Sequence, residues 1–297
     1  MSVVVVGSIN VDLHLRLARH PLPGETLLAS GGEYSPGGKG ANQACAAALA
    51  GAPTVLLGAV GSDGGDRAAL RLLSKARVDL SHLIEVDGPT GLAVVTVDEA
   101  GENTVVVVPG ANAGVSVHQV DEWAGLIAGG GVVVVQGEIP AASTRRAAEF
   151  ARGRLLLNLA PVIDLDPDVI RSADPLVVNE HEAALALGQL GEASGEGDLV
   201  RALLSAGVTS VVLTLGSAGA VVGTQDAVVA VASPTVVARD SVGAGDAFVG
   251  ALAARLDEGV PLDEAAAYAC RFAAYTVQFD GAQSSYPEPG TPLPEVS

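Results

Sequence analysis

Six short runs, Val3–Val6, Val55–Leu57, Val132–Val135, Leu155–Asn158, Leu176–Val178 and Val211–Thr214, are nearly continuous Val and Leu. A strand covered on both faces has no wet side to alternate with, so these runs predict the interior strands of a parallel sheet. Ala- and Leu-rich stretches separate them. These predict helices at Ala41–Ala50, Asp66–Ala76, Thr144–Ala151, Glu180–Leu187 and Leu199–Ala206. Strands alternating with helices give the α/β class, a three-layer αβα sandwich around a mainly parallel sheet.

Two stretches follow a different period. In VDLHLRLARH, Val11, Leu13, Leu15 and Leu17 share one face, while Asp12, His14 and Arg16 share the other. The segment Thr90–Gly110 reads as two strands around an Asp98–Asn103 turn containing Gly101. Both suit a small antiparallel sheet with one wet face. Residues 1–297 are therefore expected to form one α/β domain, with a β-sheet lid inserted from about 11–33 and 89–110. The lid's apolar face needs cover, either from the main domain or from a second copy of the chain. GEASGEGD (Gly191–Asp198) is the flexible stretch.

Composition narrows the function. Aromatics make up only 3% of the 297 residues, so Val, Ala and Leu supply the core. A net charge of −18 argues against nucleic acid and against an anionic membrane surface, both of which call for clustered Lys and Arg. No apolar run approaches the ~20 residues that span a bilayer. The opening MSVVVVGSIN lacks a basic segment and reads as a first strand. Cys45 and Cys270 are too few for a disulfide scaffold and read as small core residues. The five histidines have neither ligand spacing nor a triad partner, and read as surface or loop residues. Trp123 reads as a packing residue at a helix edge. A cytoplasmic globular protein is expected.

The candidate chemistry lies in glycine-rich turns. The chain has neither GxxxxGK[ST] nor GxGxxG after its first strand, which excludes a P-loop and a dinucleotide fingerprint. In GSINVD, Asn10 and Asp12 stand two apart and project from one face of an extended backbone. An amide beside a carboxylate suits vicinal hydroxyls; a strand-end turn capped by Asn and Asp explains the same residues.

In YSPGGKGANQA, Lys39 is one of only two lysines in the chain, against fourteen arginines. Gly37, Gly38 and Gly40 let backbone approach a ligand. Lys39 and Asn42 share a face at a helix start, where a cation opposes the helix dipole and so needs another reason to be there.

In DSVGAGDAFVGALAARL, Gly243, Ala244 and Gly245 lead into a helix that begins with Asp246. Bare amides there can hold an anion, and Asp246 beside them can accept the proton of an attacking hydroxyl. A helix-start carboxylate favoured by the dipole is the plainer alternative. TLGSAGA (Thr214–Ala220) either brings backbone to a nucleotide or makes a tight hairpin. VVNEHE sets Asn179, Glu180 and Glu182 at a strand-to-helix junction, as a helix start or a water-mediated Mg²⁺ site would. Glu138 closes the run VVVVQGE, beyond a strand's carboxyl end, where α/β sheets bind ligands.

Taken in order, these motifs resemble the pfkB (ribokinase-like) sugar kinases across essentially the whole chain. The match runs through GSINVDL, PLPGET, GGKGANQA, Thr90-Gly91, Gly101–Asn103, Gly110–Asn112, Asn158–Pro161, Asn179-Glu180, TLGSAG, DSVGAGDAF and Gly281–Gln283. Within the family the resemblance is to the branch that phosphorylates ribose. Kinases for another pentose, a ketose or a nucleoside, or a silent sugar-binding regulator, remain alternatives.

The resemblance implies ATP + D-ribose → ADP + D-ribose 5-phosphate with Mg²⁺, and a homodimer formed through the lid strands. It implies that Asn10, Asp12, Gly38, Lys39, Asn42 and Glu138 hold the sugar and that Asp246 is the base. Gly243, Ala244 and Gly245 would form the anion hole. Asn179, Thr214, Gly216, Gly219 and Gly245 would meet the nucleotide, with Glu182 on the water shell of Mg²⁺. A monovalent cation, usually K⁺, would sit near Asp240, Val242, Thr276, Phe279, Gly281 and Ser285. Cys270 stands where a nucleotide-facing His or Asn is common, and Leu159 replaces a common proline.

Overall fold

In chain order the strands are β1 (Val3–Val6), β2 (Asn10–Arg16), β3 (Gly31–Gly37), β4 (Thr54–Leu57), β5 (Ala59–Gly61), β6 (Ile84–Val86) and β7 (Gly91–Val97). They continue with β8 (Asn103–Val108), β9 (Val132–Gln136), β10 (Arg154–Asn158), β11 (Leu176–Asn179), β12 (Val211–Thr214), β13 (Ala220–Gly223) and β14 (Val228–Val231). These come from a computed structural model, which describes residues 2–100, 103–192 and 198–296. The Gly101-Glu102 part of the expected turn, and residues 193–197 of the expected flexible stretch, lie outside them.

The main sheet has the order β14-β13-β12-β11-β10-β9-β1-β4, parallel from β4 to β12 and antiparallel at the β12-β13-β14 edge. All six predicted runs are in it. Alternate residues of each run feed opposite cores. Val3, Val5, Val132 and Val134 pack toward the helices Lys39–Leu49, Ala244–Asp257 and Leu262–Thr276. Val4, Val6, Val133 and Val135 pack toward Ala141–Phe150, Glu180–Gln189 and Leu199–Ser205. The expected three-layer αβα architecture is what forms. Trp123 is buried where two short helices meet, and both cysteines are buried.

The small sheet has the order β3-β2-β7-β8 and differs from the expected antiparallel one. β3-β2 and β7-β8 are antiparallel, but β2 and β7 run parallel, so the sheet is mixed. Each of the two inner strands enters it from the body of the domain in the same direction, which forces a parallel seam between two hairpins. β3 continues to Gly37 and so delivers the chain directly into the Lys39 helix. His14 also departs from expectation: it lies on β2, with Nε2 2.9 Å from Ser35 Oγ, and burial pushes its pKa down.

Helix contact depends on small residues. A Cβ at Gly250 would lie 2.3 Å from Gln43 O and 2.6 Å from Ala46 Cβ, so the Ala244–Asp257 helix lies directly against Lys39–Leu49. At Gly40 a Cβ would meet Gly7 C at 2.6 Å. Glycine and alanine at these crossings bring three chain segments close enough for short polar side chains to touch.

Candidate active site

Gln136 and Asn158, at the carboxyl ends of β9 and β10, and the first turns of two helices gather around Asp246, which is buried. Asn42 Nδ2 donates to its Oδ2 at 3.0 Å and Gln43 Nε2 donates to its Oδ1 at 2.9 Å. Lys39 Nζ lies 3.9 Å from the same Oδ1. Asp246 first, and Glu138 further off, hold the Lys39 ammonium above its ordinary pKa against the opposing effect of burial. One face of the Lys39 helix thus carries both an ammonium and two amides to a single carboxylate.

A polar pocket opens beside it. Asn10 and Asp12 are both buried on one face of β2, as their spacing predicts. Glycines on the flanking strands make room for them. A Cβ at Gly37 would stand 2.0 Å from Asp12 Oδ1, and one at Gly91 would stand 2.1 Å from Asn10 Oδ1. Asn112 Nδ2 donates to Asn10 Oδ1 (2.8 Å) and fixes its amide. Gly38 has φ 88°, and a Cβ there would lie 2.7 Å from the Asn10 backbone nitrogen. That turn is closed to any side chain.

Glu138 Oε2 accepts from Ser8 Oγ (2.5 Å) and from the Lys39 amide (3.1 Å), which fastens the loop after β9 to the helix start. Asp12 Oδ1 is buried with no hydrogen-bond partner among the described residues. Burial, then Glu138 and Asp246, push the Asp12 pKa from 3.8 up to about 7. An acceptor left open in a polar pocket is suited to a ligand hydroxyl.

A cavity of about 570 Å³ opens beside the residues just ahead of Asp246. Thr214, Gly216, Gly219, Ala244 and Gly245 line it, all from the predicted nucleotide and anion-hole segments. The glycines at 216 (φ 58°) and 219 (φ 95°) reverse the chain between β12 and β13, so TLGSAGA is both a hairpin and a cavity wall. The far wall is apolar, with Phe248, Cys270, Ala274 and Val277. Burial pushes the Cys270 thiol up to about 11, so it stays a neutral packing group.

Gly243 caps the Ala244–Asp257 helix with φ 72°, and Tyr286 Oη donates to its carbonyl at 3.1 Å. The Ala244 amide is engaged by Ser241 O at 3.2 Å. The Gly245 and Asp246 amides, in the first helical turn, have no backbone acceptor among the described residues.

Asn179 and Glu182 form a reciprocal capping box at the end of β11: Asn179 Oδ1 accepts from the Glu182 amide and Glu182 Oε2 accepts from the Asn179 amide, both at 2.9 Å. Neither lines the cavity, though the β11-β12 register sets Asn179 beside Thr214 at its edge. Asp240 is a brace. Its Oδ1 accepts from the Val242 amide (3.0 Å) and its Oδ2 from the Gly281 amide (2.7 Å), tying the anion-hole loop to the segment after the Leu262–Thr276 helix. Of the other positions named for a cation, Phe279 is exposed and Ser285 Oγ donates to Ala282 O at 2.8 Å.

Sequence reasoning gave no role to Gln43, Gln136, Asn158 or Gln283, although Gln43, Asn158 and Gln283 stand in motifs that carry the family resemblance. All four are buried amides around Asp246. The available signal was a polar residue ending a run of four valines (Gln136) and a glutamine inside an otherwise small-residue helix (Gln43).

Comparison with known proteins agrees with this geometry. Residues 1–289 match the model of the pfkB family of carbohydrate kinases. The chain is similar to a ribokinase of Schizosaccharomyces pombe, at 35% identity over 97% of this chain and 95% of the relative. It is also similar to a deoxyribokinase of Salmonella typhi, at 32% identity over 97% and 96%. Among solved structures, an Arabidopsis thaliana ribokinase complexed with ribose and ATP superposes with a TM-score of 0.85, at 30% identity over 97% and 96% of the two chains.

Proposed function

The chain belongs to the pfkB family of carbohydrate kinases, and on that premise we propose that its alcohol acceptor is the 5-hydroxyl of D-ribose, phosphorylated by ATP. Asp246 carries this reading: it is held by Asn42 and faced by Lys39 on one side, while Ala244 and Gly245, the two residues just ahead of it, line the 570 Å³ cavity. A base placed between such groups can serve a sugar on one side and a triphosphate on the other.

In the proposed step Asp246 takes the hydroxyl proton as the sugar oxygen bonds to the γ-phosphorus. The bond from that phosphorus to the β-bridging oxygen breaks, and ADP leaves with the electron pair. The Gly243–Gly245 turn meets the charge on the transferring group through its free amides, and Lys39 offsets the carboxylates around the sugar. Asn10, Asp12, Gly38, Asn42 and Glu138 hold the sugar hydroxyls and exclude water.

Bound Mg²⁺ would neutralise triphosphate charge. Glu182 fits its water shell, because it spends Oε2 on the cap and its charge reaches Lys39 across the same opening. Asp240, which already ties Val242 to Gly281, and the carbonyls near Val242, Thr276, Phe279 and Gly281 would offer oxygen ligands to a monovalent cation such as K⁺. Such an ion would brace the anion-hole loop without touching substrate. The small sheet acts as a lid and as the homodimer contact, and its exposed Val105–Val108 supports that reading. The enzyme works in the cytoplasm, where ATP is available.

The test is a panel of D-ribose, 2-deoxyribose, fructose and adenosine with ATP, scored by ADP release. Ribose is expected to lead in kcat/KM. A lead for 2-deoxyribose would favour the second reading, which the Salmonella typhi relative supports.

A further inference from the structure

Asp246 is gripped by two amides, and each amide is itself pinned by another. Gln283 Nε2 donates to Asn42 Oδ1 (2.9 Å), leaving Asn42 Nδ2 to face Asp246 Oδ2. Gln136 Nε2 donates to Gln43 Oε1 (2.7 Å), leaving Gln43 Nε2 to face Asp246 Oδ1. The second hydrogen of Gln43 Nε2 goes to Asn158 Oδ1 (2.9 Å), and Asn158 Nδ2 donates to Val177 O (3.1 Å). The Gln43 amide has every donor and acceptor engaged.

The direction of these bonds is informative. A carboxylate only accepts, so it requires donors from both neighbours, and each neighbour then requires a donor behind it. The polarity spreads outward until it ends at Gln136 Oε1 and Gln283 Oε1, which are buried with no partner among the described residues. A buried acceptor left unpaired is destabilising. The fold carries two of them at the outer ends of a chain whose inner ends meet one carboxylate.

Gln43 is fully buried on the side of Asp246 away from solvent, so it acts through Asp246 and not on substrate. Glycines make this possible: a Cβ at Gly7 would lie 2.0 Å from Gln136 Oε1.

We propose that Gln43 and Gln136 are positioning residues for the phosphoryl-transfer base. Gln136 locks the amide of Gln43, and Gln43 holds the Asp246 carboxylate at the angle from which it takes the hydroxyl proton. The proposal rests on the reading of Asp246 as base.

The test uses Gln43→Met and Gln136→Met, which keep side-chain length and remove the amide. Misplacing a reacting group by about 1 Å costs about 100-fold. Gln43→Met should therefore lose about 100-fold in kcat, with KM for sugar and ATP and calorimetric sugar affinity kept within about threefold. Gln136→Met, which does not touch Asp246, should lose less. The double variant should be no slower than Gln43→Met, because the relay is already cut. A folded Gln43→Met with wild-type kcat overturns the proposal, as do losses that multiply in the double variant. Should Gln43→Met not fold, Gln136→Met decides alone: wild-type kcat refutes, and a kcat loss with sugar affinity kept supports. Asp246→Asn separates the two layers. If it turns over normally, the reading of the base falls. If it is inactive while Gln43→Met is fast, only the positioning role falls.

Discussion

Lys39 Nζ lies 3.9 Å from Asp246 Oδ1, while the Lys39 backbone amide donates to Glu138 Oε2 at 3.1 Å. One residue thus binds two of the pocket's three carboxylates, one through its side chain and one through its backbone. The chain uses arginine at nearly every other cationic position.

On the proposed reading, a compact ammonium would fit between Asp246 and the sugar where a planar guanidinium fork would not. Lys39→Arg keeps the charge and the backbone contact. It should raise the sugar KM about tenfold or more, on the scale of a misplaced polar contact, and leave the ATP KM within about twofold. Steady-state kinetics with each substrate varied checks this, and an unchanged sugar KM would refute it.

Asp246→Asn keeps the shape of the side chain and removes the proton acceptor. A general base supplies about 10²–10⁴-fold, so kcat should fall by that much while sugar still binds. Calorimetry on the inactive variant, set beside single-turnover kinetics, separates binding from chemistry.

Gly37 has an ordinary backbone conformation, so its need for glycine comes from contact and not from φ. A methyl there would stand 2.0 Å from the Asp12 carboxyl and push it out of the pocket. Gly37→Ala should lower sugar affinity at least tenfold, the scale of one lost hydrogen bond to a charged group, with ATP affinity kept. Equal losses for both ligands would mean a general collapse of the site.

The parallel sheet was legible because strands buried on both faces must be continuously apolar, and Val3–Val6 and Val211–Thr214 match their predicted ends. The mixed small sheet was not, since alternation along β2 reports which face is wet and carries nothing about the direction of its neighbour β7. Asn10, Lys39, Asn42 and Asp246 were legible as short-range motifs, each a polar side chain beside glycines that need a reason. The Gln43–Gln136 and Asn42–Gln283 contacts link residues 93 and 241 positions apart. Only folding brings such pairs together, and no local spacing records them.

The small sheet ends at β8, whose Val105, Val106, Val107 and Val108 are 52%, 59%, 42% and 48% exposed. An apolar edge strand with open backbone groups is a pairing surface unless something covers it. Covered by a second copy, it yields a homodimer. Val106→Lys puts a charge into that contact and should convert dimer to monomer in sedimentation velocity, with the melting transition of the main domain retained. A wild-type chain that sediments as a monomer at micromolar concentration would rule out the lid contact.

With Asp12 holding the sugar as proposed, its surroundings fix the direction in which binding should depend on pH. Burial, then Glu138 and Asp246, push its pKa from 3.8 to about 7. The folded value lies above the unfolded one, so the native state keeps a proton that the unfolded chain releases. Stability from this group is complete below about pH 4 and is lost as pH rises through about 7. Sugar hydroxyls that donate to an ionised Asp12, as proposed, would have to expel the proton below that value. Ribose affinity should therefore weaken about tenfold per pH unit below about 7 and level off above it, as one-proton linkage requires. The gain in melting temperature on adding ribose should grow from pH 5.5 to pH 8 even as the free enzyme loses stability. Calorimetry near pH 6 in two buffers of different ionisation enthalpy should register close to one proton released per sugar bound. Asp12→Asn has nothing to titrate, so its weaker affinity should be flat with pH. A wild-type affinity equally flat between pH 5.5 and 8 would show that Asp12 is already ionised in the empty pocket.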